Sequence, residues 1–408
     1  MSTSKSWKSL PVVALSLFLL PSVTQAQHYT QKNLVSDVSQ PDNADKTKVI
    51  LDPNLKNPWG LTRGAPTPAN PNGSPWWVGN NNSGTSTLYD GKGNPQKFFP
   101  NPADPNNPND TVNFITIPFA PKTVPPVGTP TGVVFNGSAT DFLVAGRGTH
   151  ALFIFATEDG TISAWNPGVN VGNSVIKVDN SDNGSANGAV YKGMTSGEVG
   201  GKKFLYVTNF RSGKVEVYDT NFIRMHFGED AFDPDGDGDR DEGDRIPQGF
   251  APFNIQNIGG TLFVTYAKQD AARHDPVGGD GLGFVELFSP SGKHIGHLEH
   301  GDWFNAPWGV VWTTRDFGEF SNAILVGNFR SGWIAAFNGF THKFIGFVLD
   351  STKPTKPLFI DGLWSLTFGN DGGAGPANTL FFTAGINNET DGLFGTITPT
   401  DGLDGDEE

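Results

Sequence analysis

The chain contains no cysteine among its 408 residues. This absence excludes disulfide bonds, thiol catalysis and metal sites with cysteine ligands. A chain of this length needs no disulfides, because it can bury a large hydrophobic core. Charged residues are also scarce, at 17%. With 28 Lys and Arg against 42 Asp and Glu, the net charge of −14 argues against binding nucleic acid or anionic lipid over a broad face.

Long helical patterns and catalytic motifs are missing as well. No stretch of useful length repeats apolar residues with the 3.6-residue period of an amphipathic helix. We find no Gly-x-Ser-x-Gly motif, no phosphate-binding glycine loop and no other catalytic signature. Abundant instead are Gly, Pro and Phe, at 52, 30 and 32 residues. This composition predicts many short strands joined by tight turns.

The first 26 residues have the order of a secretory signal peptide. Two lysines precede an apolar run at Leu10–Leu20, and small residues at Thr24 and Ala26 precede Gln27. The apolar run is too short to span a bilayer as a helix. We therefore expect cleavage after Ala26 and a secreted or periplasmic protein without a membrane span. We divide the chain into a signal peptide at 1–26, an N-terminal extension at 27–46, a folded domain at 47–400 and an acidic tail at 401–408.

A five-residue string, Asn-Phe-Arg-Ser-Gly, occurs at 209–213 and again at 328–332. Each copy belongs to a longer unit, in which a short opening motif is followed by an apolar strand, a polar turn and an alternating strand. Six units align on one position of the opening motif, occupied by Gly60, Gly132, Gly193, Asn254, Gly309 and Ser365. By subtraction, successive steps are 72, 61, 61, 55 and 56 residues. This period, with about four strands per unit, is typical of a propeller blade.

The repeats predict an all-β fold, a six-bladed β-propeller with four-stranded antiparallel blades. The last unit ends with LFGTITP, which leaves too little chain for an ordinary outer strand. We expect Lys48–Leu51, near the N terminus, to supply that strand and close the ring, because an open ring would lose cooperativity.

The strings YVTNFRSGKVEVYD, APFNIQNIGG and DGLWSLTFG resemble NHL-repeat and gluconolactonase-like six-bladed propellers. They are most similar to a family of uncharacterised secreted bacterial propeller proteins, over roughly Val35 to Pro399. The resemblance implies a fold and export, and no established activity. Gluconolactonase-like propellers hold a divalent metal over the axis with Glu, Asn and Asp, so the resemblance also implies a lactonase-type hydrolase as an alternative function.

An acidic loop, DPDGDGDRDEGD, occupies 233–244. Counted from its first residue, carboxylates fall at positions 1, 3, 5, 7, 9 and 12, and Gly238 stands at position 6. This spacing is like that of an EF-hand loop, whose oxygens surround Ca²⁺. We expect one structural Ca²⁺ with ligands from Asp233, Asp235, Asp237, Asp239 and Asp244. The alternative is a solvated acidic loop.

Three histidines stand three residues apart, at His294, His297 and His300. Neighbouring glycines favour an outer strand, on which alternation would turn His297 away from the other two. A zinc site requires convergent ligands. We therefore expect an ordinary surface strand here.

The turns after each second strand and the loops before each first strand meet at one face of a propeller. The candidates for a ligand face are Trp59, Asn80, Glu158, Asn209, Asn254, Lys268, Asp270, Trp308, Asn328 and Trp364. Lys268 and Asp270 belong to a long loop, 265–283, that replaces a five-residue turn. The alternative is structural: Trp packs beneath each first strand and Asn caps its turn. Arg211 and Arg330 are expected to pair with carboxylates on the turn surface.

The leading functional hypothesis is a non-catalytic binding or structural module whose ligand is a protein, a peptide or a glycan. The rival hypothesis is a metal-dependent hydrolase with its site at the propeller axis. An axial metal site would need converging carboxylates, and Glu158 is the one clear acidic candidate in the repeated turns. The sequence therefore favours binding over catalysis.

Overall fold

The computed structural model describes residues 28–68, 70–104, 107, 109–121, 127–234 and 246–400. Strands dominate these ranges, and helical structure in them is limited to single turns at Asp182–Gly184, Gly318–Phe320 and Ile386–Glu389. Within the same ranges, no helix combines the length and the apolar character needed to cross a membrane. The all-β prediction is confirmed.

Five consecutive antiparallel sheets form propeller blades of four strands each. Sheet 1 contains Pro58–Thr62, Trp76–Asn80, Thr85–Tyr89 and Phe114–Thr116. Sheet 2 contains Pro130–Phe135, Phe153–Thr157, Thr161–Trp165 and Val175–Asp179. Sheet 3 contains Tyr191–Val199, Lys202–Asn209, Lys214–Tyr218 and Arg224–Met225. Sheet 4 contains Phe250–Ile258, Thr261–Gln269, Gly283–Phe288 and His294–His297, with Pro276–Val277 added beside its second strand. Sheet 5 contains Pro307–Trp312, Ala323–Asn328, Ile334–Asn338 and Phe344–Phe347. The predicted propeller with four-stranded antiparallel blades is confirmed.

A larger sheet joins the two ends of the described chain. Its first three strands are Leu363–Phe368, Leu380–Ala384 and Leu393–Pro399. The N-terminal strand His28–Ser36 pairs antiparallel with Leu393–Pro399. Short strands extend this sheet at Ile50–Leu51, Leu349–Asp350 and Lys353–Pro357. A separate two-stranded pair is formed by Phe99–Pro100 and Thr111–Val112.

The expectation that Lys48–Leu51 supplies the outer strand is wrong in its position. His28–Ser36 takes that place, and Ile50–Leu51 only pairs in parallel with its C-terminal end. The physical reason is burial: Tyr29 and Val35 are fully buried, whereas Leu51 is 62% exposed. The segment with more apolar surface to bury therefore pairs in the sheet.

The repeated glycines are explained by crowding between the first strands of successive sheets. A Cβ atom on Gly60 would lie 2.3 Å from the carbonyl oxygen of Thr131, and one on Gly132 would lie 2.4 Å from the amide nitrogen of Met194. Such distances are sterically forbidden, so the backbones can approach this closely only at glycine. The glycine of the repeat motif is thus required by the close packing of the first strands around the axis.

Candidate functional site at the propeller axis

The residue before each aligned repeat position defines the centre of the molecule. These residues are Trp59, Thr131, Lys192, Phe253, Trp308 and Trp364. Trp59 stacks on Trp364 with ring centroids 3.5 Å apart, and Trp308 meets both rings edge-on. Phe210 and Phe329 complete this buried aromatic cluster. The centre of the propeller is therefore filled by rings, which is ordinary core packing.

Lys192 is the exception at this repeat position. Its side chain is buried, and its Nζ lies 5.2 Å from the ring centroid of Trp59. The ammonium contacts Oε1 of Glu158 and lies 3.2 Å from Oδ1 of Asp275. Burial lowers the pKa of Lys192, but the two carboxylates outweigh burial, and the net shift is upward. Lys192 is therefore a charged group held inside the molecule by its partners.

Glu158 and Asp275 reach Lys192 from two different blades. Glu158 lies in the turn after Phe153–Thr157, where its Oε2 accepts a hydrogen bond of 2.7 Å from Nδ2 of Asn81. Asp275 lies in the long loop of sheet 4, 2.9 Å from Nδ1 of His274. The hydrogen bond to His274 is the main reason why the pKa of Asp275 lies well below its usual range. The ammonium of Lys192 lowers this pKa further, and partial burial opposes both effects. Asp275 is thus ionised at neutral pH.

A third carboxylate, Glu389, extends this network across the mouth of the axis. Its Oε2 accepts a hydrogen bond of 3.1 Å from Asn57, whose Oδ1 accepts one of 3.0 Å from Nε1 of Trp364. Burial raises the pKa of Glu389, and repulsion from Glu158 raises it further. We call Glu158, Lys192, Asp275 and Glu389 the axial cluster. It contains three carboxylates and one ammonium, and the ammonium contacts Glu158 and Asp275.

The structure places the predicted tryptophans and asparagines in structural roles. Trp59, Trp308 and Trp364 lie in the buried aromatic cluster described above. All four predicted asparagines are buried, and their side-chain amides donate hydrogen bonds to neighbouring strands and turns. These residues are Asn80, Asn209, Asn254 and Asn328. These residues build the scaffold beneath the mouth and are not available to a ligand there.

Three predicted candidates do lie at the mouth. Glu158 belongs to the axial cluster, and Lys268 is exposed near the end of Thr261–Gln269. Asp270 shapes the long loop, since its Oδ1 accepts hydrogen bonds from the amides of His274 and Asp275 at 2.8 and 3.3 Å. The loop therefore carries Asp275 to Lys192.

The two arginines of the repeated NFRSG string were expected to pair with carboxylates. Instead, Arg211 donates a hydrogen bond to the carbonyl oxygen of Gly188, and Arg330 donates to that of Pro276. The guanidinium of Arg330 also lies 4.6 Å from the ring centroid of Phe329. These arginines tie each turn to the loop beside it, and so stiffen the mouth.

Sequence reasoning did not include Lys192 and Glu389 among its candidates. A signal for Lys192 exists in the sequence: it is the one charged residue at a repeat position otherwise held by Trp, Phe or Thr. Glu389 has no comparable signal, because it lies in an irregular turn, Ile386–Glu389, whose backbone departs from helical geometry at Asn387 and Asn388.

A cleft and several exposed rings surround the axial cluster. The cleft, of about 310 Å³, runs beside Glu158 and is lined by Thr129, Asp159, Arg211 and His274, among others. Three aromatic side chains lie partly exposed on the same end of the propeller, at Phe119, Trp333 and Phe359, with 40, 37 and 57% of their surface accessible. This end combines carboxylates, a cleft and apolar rings, which is the composition of a binding surface.

The predicted calcium ligands lie almost entirely outside the described residues. Of the five, only Asp233 is described, and it is exposed. The loop that holds the other four is not described, so calcium binding stays a prediction.

No family model matches the chain. An uncharacterised protein of Acanthamoeba polyphaga mimivirus is 32% identical over 271 residues, which are 66% of this chain and 47% of that protein. The chain thus spans about half the length of this relative. A second uncharacterised mimivirus protein is 29% identical over 351 residues, 85% of this chain and 76% of that protein. The bacterial origin implied by the resemblance is not supported by these relatives.

Solved structures resemble the chain in fold. A protein of unknown function from Bacteroides thetaiotaomicron has a TM-score of 0.50 at 8% identity, and the alignment covers 92% of this chain and 77% of that one. A putative gluconolactonase has a TM-score of 0.37 at 13% identity, covering 69% of this chain and 91% of that one. Identities this low concern the fold alone.

Proposed function

We propose that the protein is a secreted, non-catalytic binding module whose ligand docks at the mouth of the propeller axis. The observation that carries this proposal is the buried ammonium of Lys192, which contacts two of the three axial carboxylates. Because the mouth presents these carboxylates together with the basic side chains of Lys268, Arg211 and Arg330, it favours a ligand with polar or charged groups. The exposed rings around it add apolar contact area suited to a protein segment, a peptide or a glycan.

The axial cluster does not fit a divalent metal, which a lactonase-type hydrolase of this fold would need. Ligand atoms of Glu158, His274 and Asp275 do lie within 4.8 Å of one another. However, both carboxylates already contact the Lys192 ammonium, and a divalent cation between them would be repelled by it at short range. The lactonase hypothesis therefore ranks below binding.

We further propose that the large sheet is a sixth blade, closed by His28–Ser36. Support comes from its first strand, Leu363–Phe368, which packs against both Pro307–Trp312 and Pro58–Thr62. These contacts would close the ring that the first strands form, and a closed ring leaves no exposed strand edge at the axis. Export by the signal peptide at 1–26 is part of the proposal, although that segment lies outside the described residues.

Replacing Trp333 and Phe359 with alanine should weaken ligand binding about 10-fold or more, because exposed aromatic side chains dominate interface energies. The measurement is binding of the immobilised protein to a panel of glycans and peptides, followed by titration of the strongest hit. We also expect this affinity to fall as salt is added, since the mouth is charged.

Phe340→Ala is the matched control for the ligand face. Phe340 is 82% exposed but lies in the turn between the third and fourth strands of sheet 5, at the opposite end of the blade. Its loss should leave affinity unchanged. Equal affinities for the Trp333→Ala, Phe359→Ala variant and the wild type would move the ligand site elsewhere.

We propose that the acidic loop at 233–244 binds one structural Ca²⁺, with a Kd on the order of 10⁻⁴–10⁻³ M, typical of extracellular calcium modules. Saturating calcium should then raise the free energy of unfolding by about 2 kcal/mol at tens of Kd, because it binds only the folded state. Calorimetric titration and thermal melts with and without calcium measure this effect.

The control for calcium binding is the Asp235→Ala, Asp237→Ala variant, which removes two of the predicted ligands. It should show no calcium-dependent rise in Tm. If calcium raised the Tm of the variant as much as that of the wild type, or did not change the Tm of the wild type, the loop would be a solvated acidic loop without a calcium site.

A further inference from the structure

A second polar cluster lies on the outer half of sheet 4, away from the axis. Nitrogen and oxygen atoms of Glu286, His294 and His297 lie within 4.8 Å of one another. Glu286 is 2% exposed, and its Oε2 lies 2.8 Å from Nε2 of His294. His297 is half-buried at the edge of this group. Two imidazoles thus converge on one buried carboxylate.

A β-bulge produces this convergence. Glu286 pairs with His297, and Phe288 pairs with His294. Between these two pairs, the third strand advances by two residues and the fourth strand by three, so the fourth strand contains one extra residue. Gly296, with φ of 153°, provides the backbone conformation that this irregularity requires. The extra residue shifts the alternation, and His294 and His297 lie on the same face. The expectation that His297 points away from His294 is therefore wrong. His300 does separate from them, since its ring stacks on Phe284 at 4.2 Å.

Sheet 5 contains the same bulge between its third and fourth strands, but with side chains that cannot bind a metal. Its third and fourth strands pair with the same register, including an irregularity next to Gly346, whose φ is 152°. The three positions equivalent to Glu286, His294 and His297 are occupied by Ala335, Phe344 and Phe347. The bulge therefore needs no polar residues. In sheet 4, an apolar trio is replaced by a carboxylate and two imidazoles.

We propose that Glu286, His294 and His297 form a binding site for Zn²⁺. Two imidazoles and one carboxylate are a ligand set that zinc uses in proteins, leaving a fourth position open to water. Calcium and magnesium are less suited, because they prefer oxygen ligands. Zinc ligands at about 2.1 Å in tetrahedral geometry stand about 3.4 Å apart. Since the three groups already lie within 4.8 Å of one another, small side-chain rotations bring them onto one ion.

Neighbouring rings support this arrangement. The ring of Phe288 packs edge-on against His294, with centroids 5.4 Å apart, and restricts its orientation. The fourth position of the ion is left to water.

The test is a calorimetric titration of metal-stripped full-length protein with zinc chloride, in excess calcium that saturates the acidic loop. We expect one zinc per chain. His294→Ala with His297→Ala should weaken this binding by more than about 100-fold, because even outer partners of metal ligands change affinity 10–100-fold. His300→Ala is the matched control, since its Nε2 contacts the carbonyl oxygen of Gly281 and its binding should equal that of the wild type.

A single variant, His297→Ala, serves if the double variant does not fold, because His297 is only half-buried. Cobalt substitution adds a second readout: the visible absorption of a tetrahedral site should appear in the wild type and in His300→Ala, and disappear in His297→Ala. Zinc binding that survives His297→Ala unchanged, or a wild type that binds no zinc, would overturn the proposal.

Discussion

Deleting His28–Ser36 should yield a chain that no longer unfolds in one cooperative transition. This strand buries Tyr29, Leu34 and Val35 in the large sheet. At about 1.5–3 kcal/mol per side chain, these three account for about 5–9 kcal/mol of hydrophobic stabilisation. The total free energy of unfolding of a natural domain is about 5–15 kcal/mol. The deletion therefore removes enough to unfold the protein, as circular dichroism and thermal melts would show.

Specific hydrogen bonds add to this loss. The hydroxyl of Tyr29 donates to the carbonyl oxygen of Phe317 at 3.0 Å, and Ser36 Oγ donates to that of Gly392 at 2.7 Å. Both acceptors lose a buried partner in the truncated protein, which adds to its cost. The strand also covers the edge of Leu393–Pro399, and an uncovered edge invites aggregation.

The matched control replaces Pro41, Asp42 and Ala44–Lys46 with glycine and serine and keeps Asn43, whose side chain bonds to the backbone of Asn33. The replaced residues are largely exposed, and the ion pair between Lys32 and Asp45 is solvent-accessible and therefore contributes little to stability. The linker variant should melt within a few degrees of the wild type. If the deletion of His28–Ser36 melted as the wild type does, the strand would not be needed to close the propeller.

The blades could be predicted from the sequence because they repeat. Each unit carries the same alternation and turn residues, and the aligned glycines mark the close approach of first strands. His28–Ser36 has no such copy. Its position depends on which distant segment buries the most apolar surface against Leu393–Pro399, and neither strand alone encodes that choice. Prediction therefore placed the closing strand at Lys48–Leu51, which begins 12 residues after the end of the observed strand His28–Ser36 (48 − 36).

Lys192 in the axial cluster and the convergence of the histidines were missed for different physical reasons. Lys192 was missed because the polar groups of a site were expected in loops, whereas it occupies a strand position otherwise held by Trp, Phe or Thr. The histidines were misjudged because period-two alternation assumes a regular strand. A bulge at Gly296 breaks that assumption, and no local rule tells a glycine in a bulge from one in an ordinary turn.

Lys192→Met should lower the free energy of unfolding by about 3–5 kcal/mol at neutral pH, because removing one partner of a buried ion pair leaves the other charge uncompensated. Glu158 is the group left behind: its side chain is 11% exposed, and Lys192 is its ionic partner among the described contacts. Methionine retains the apolar stem of lysine beside Trp59, so the effect reports the lost charge. Chemical denaturation of both proteins measures it.

Adding Glu158→Gln to Lys192→Met is the control that separates charge from packing. A neutral pair leaves no buried charge, so the double variant should recover part of the lost stability, and the double-mutant cycle gives the coupling. If the single and double variants were equally stable, the cost would come from packing around Trp59.

The pH dependence of the same variant follows from the two shifted groups. The folded-state pKa of Asp275 is depressed, so its contribution is present above its unfolded value of about 4 and is lost as pH falls below it. The folded-state pKa of Lys192 is raised, so its contribution is complete below about 10.4 and is lost only as pH rises beyond that value. In Lys192→Met, Asp275 has already lost part of the interaction that lowers its pKa, so less stability remains to be lost in acid. The stability difference between wild type and variant should therefore be largest between these limits and should shrink below about pH 4. A difference that stays constant from pH 7 to pH 3 would mean that the ammonium of Lys192 does not stabilise the mouth through Glu158 and Asp275.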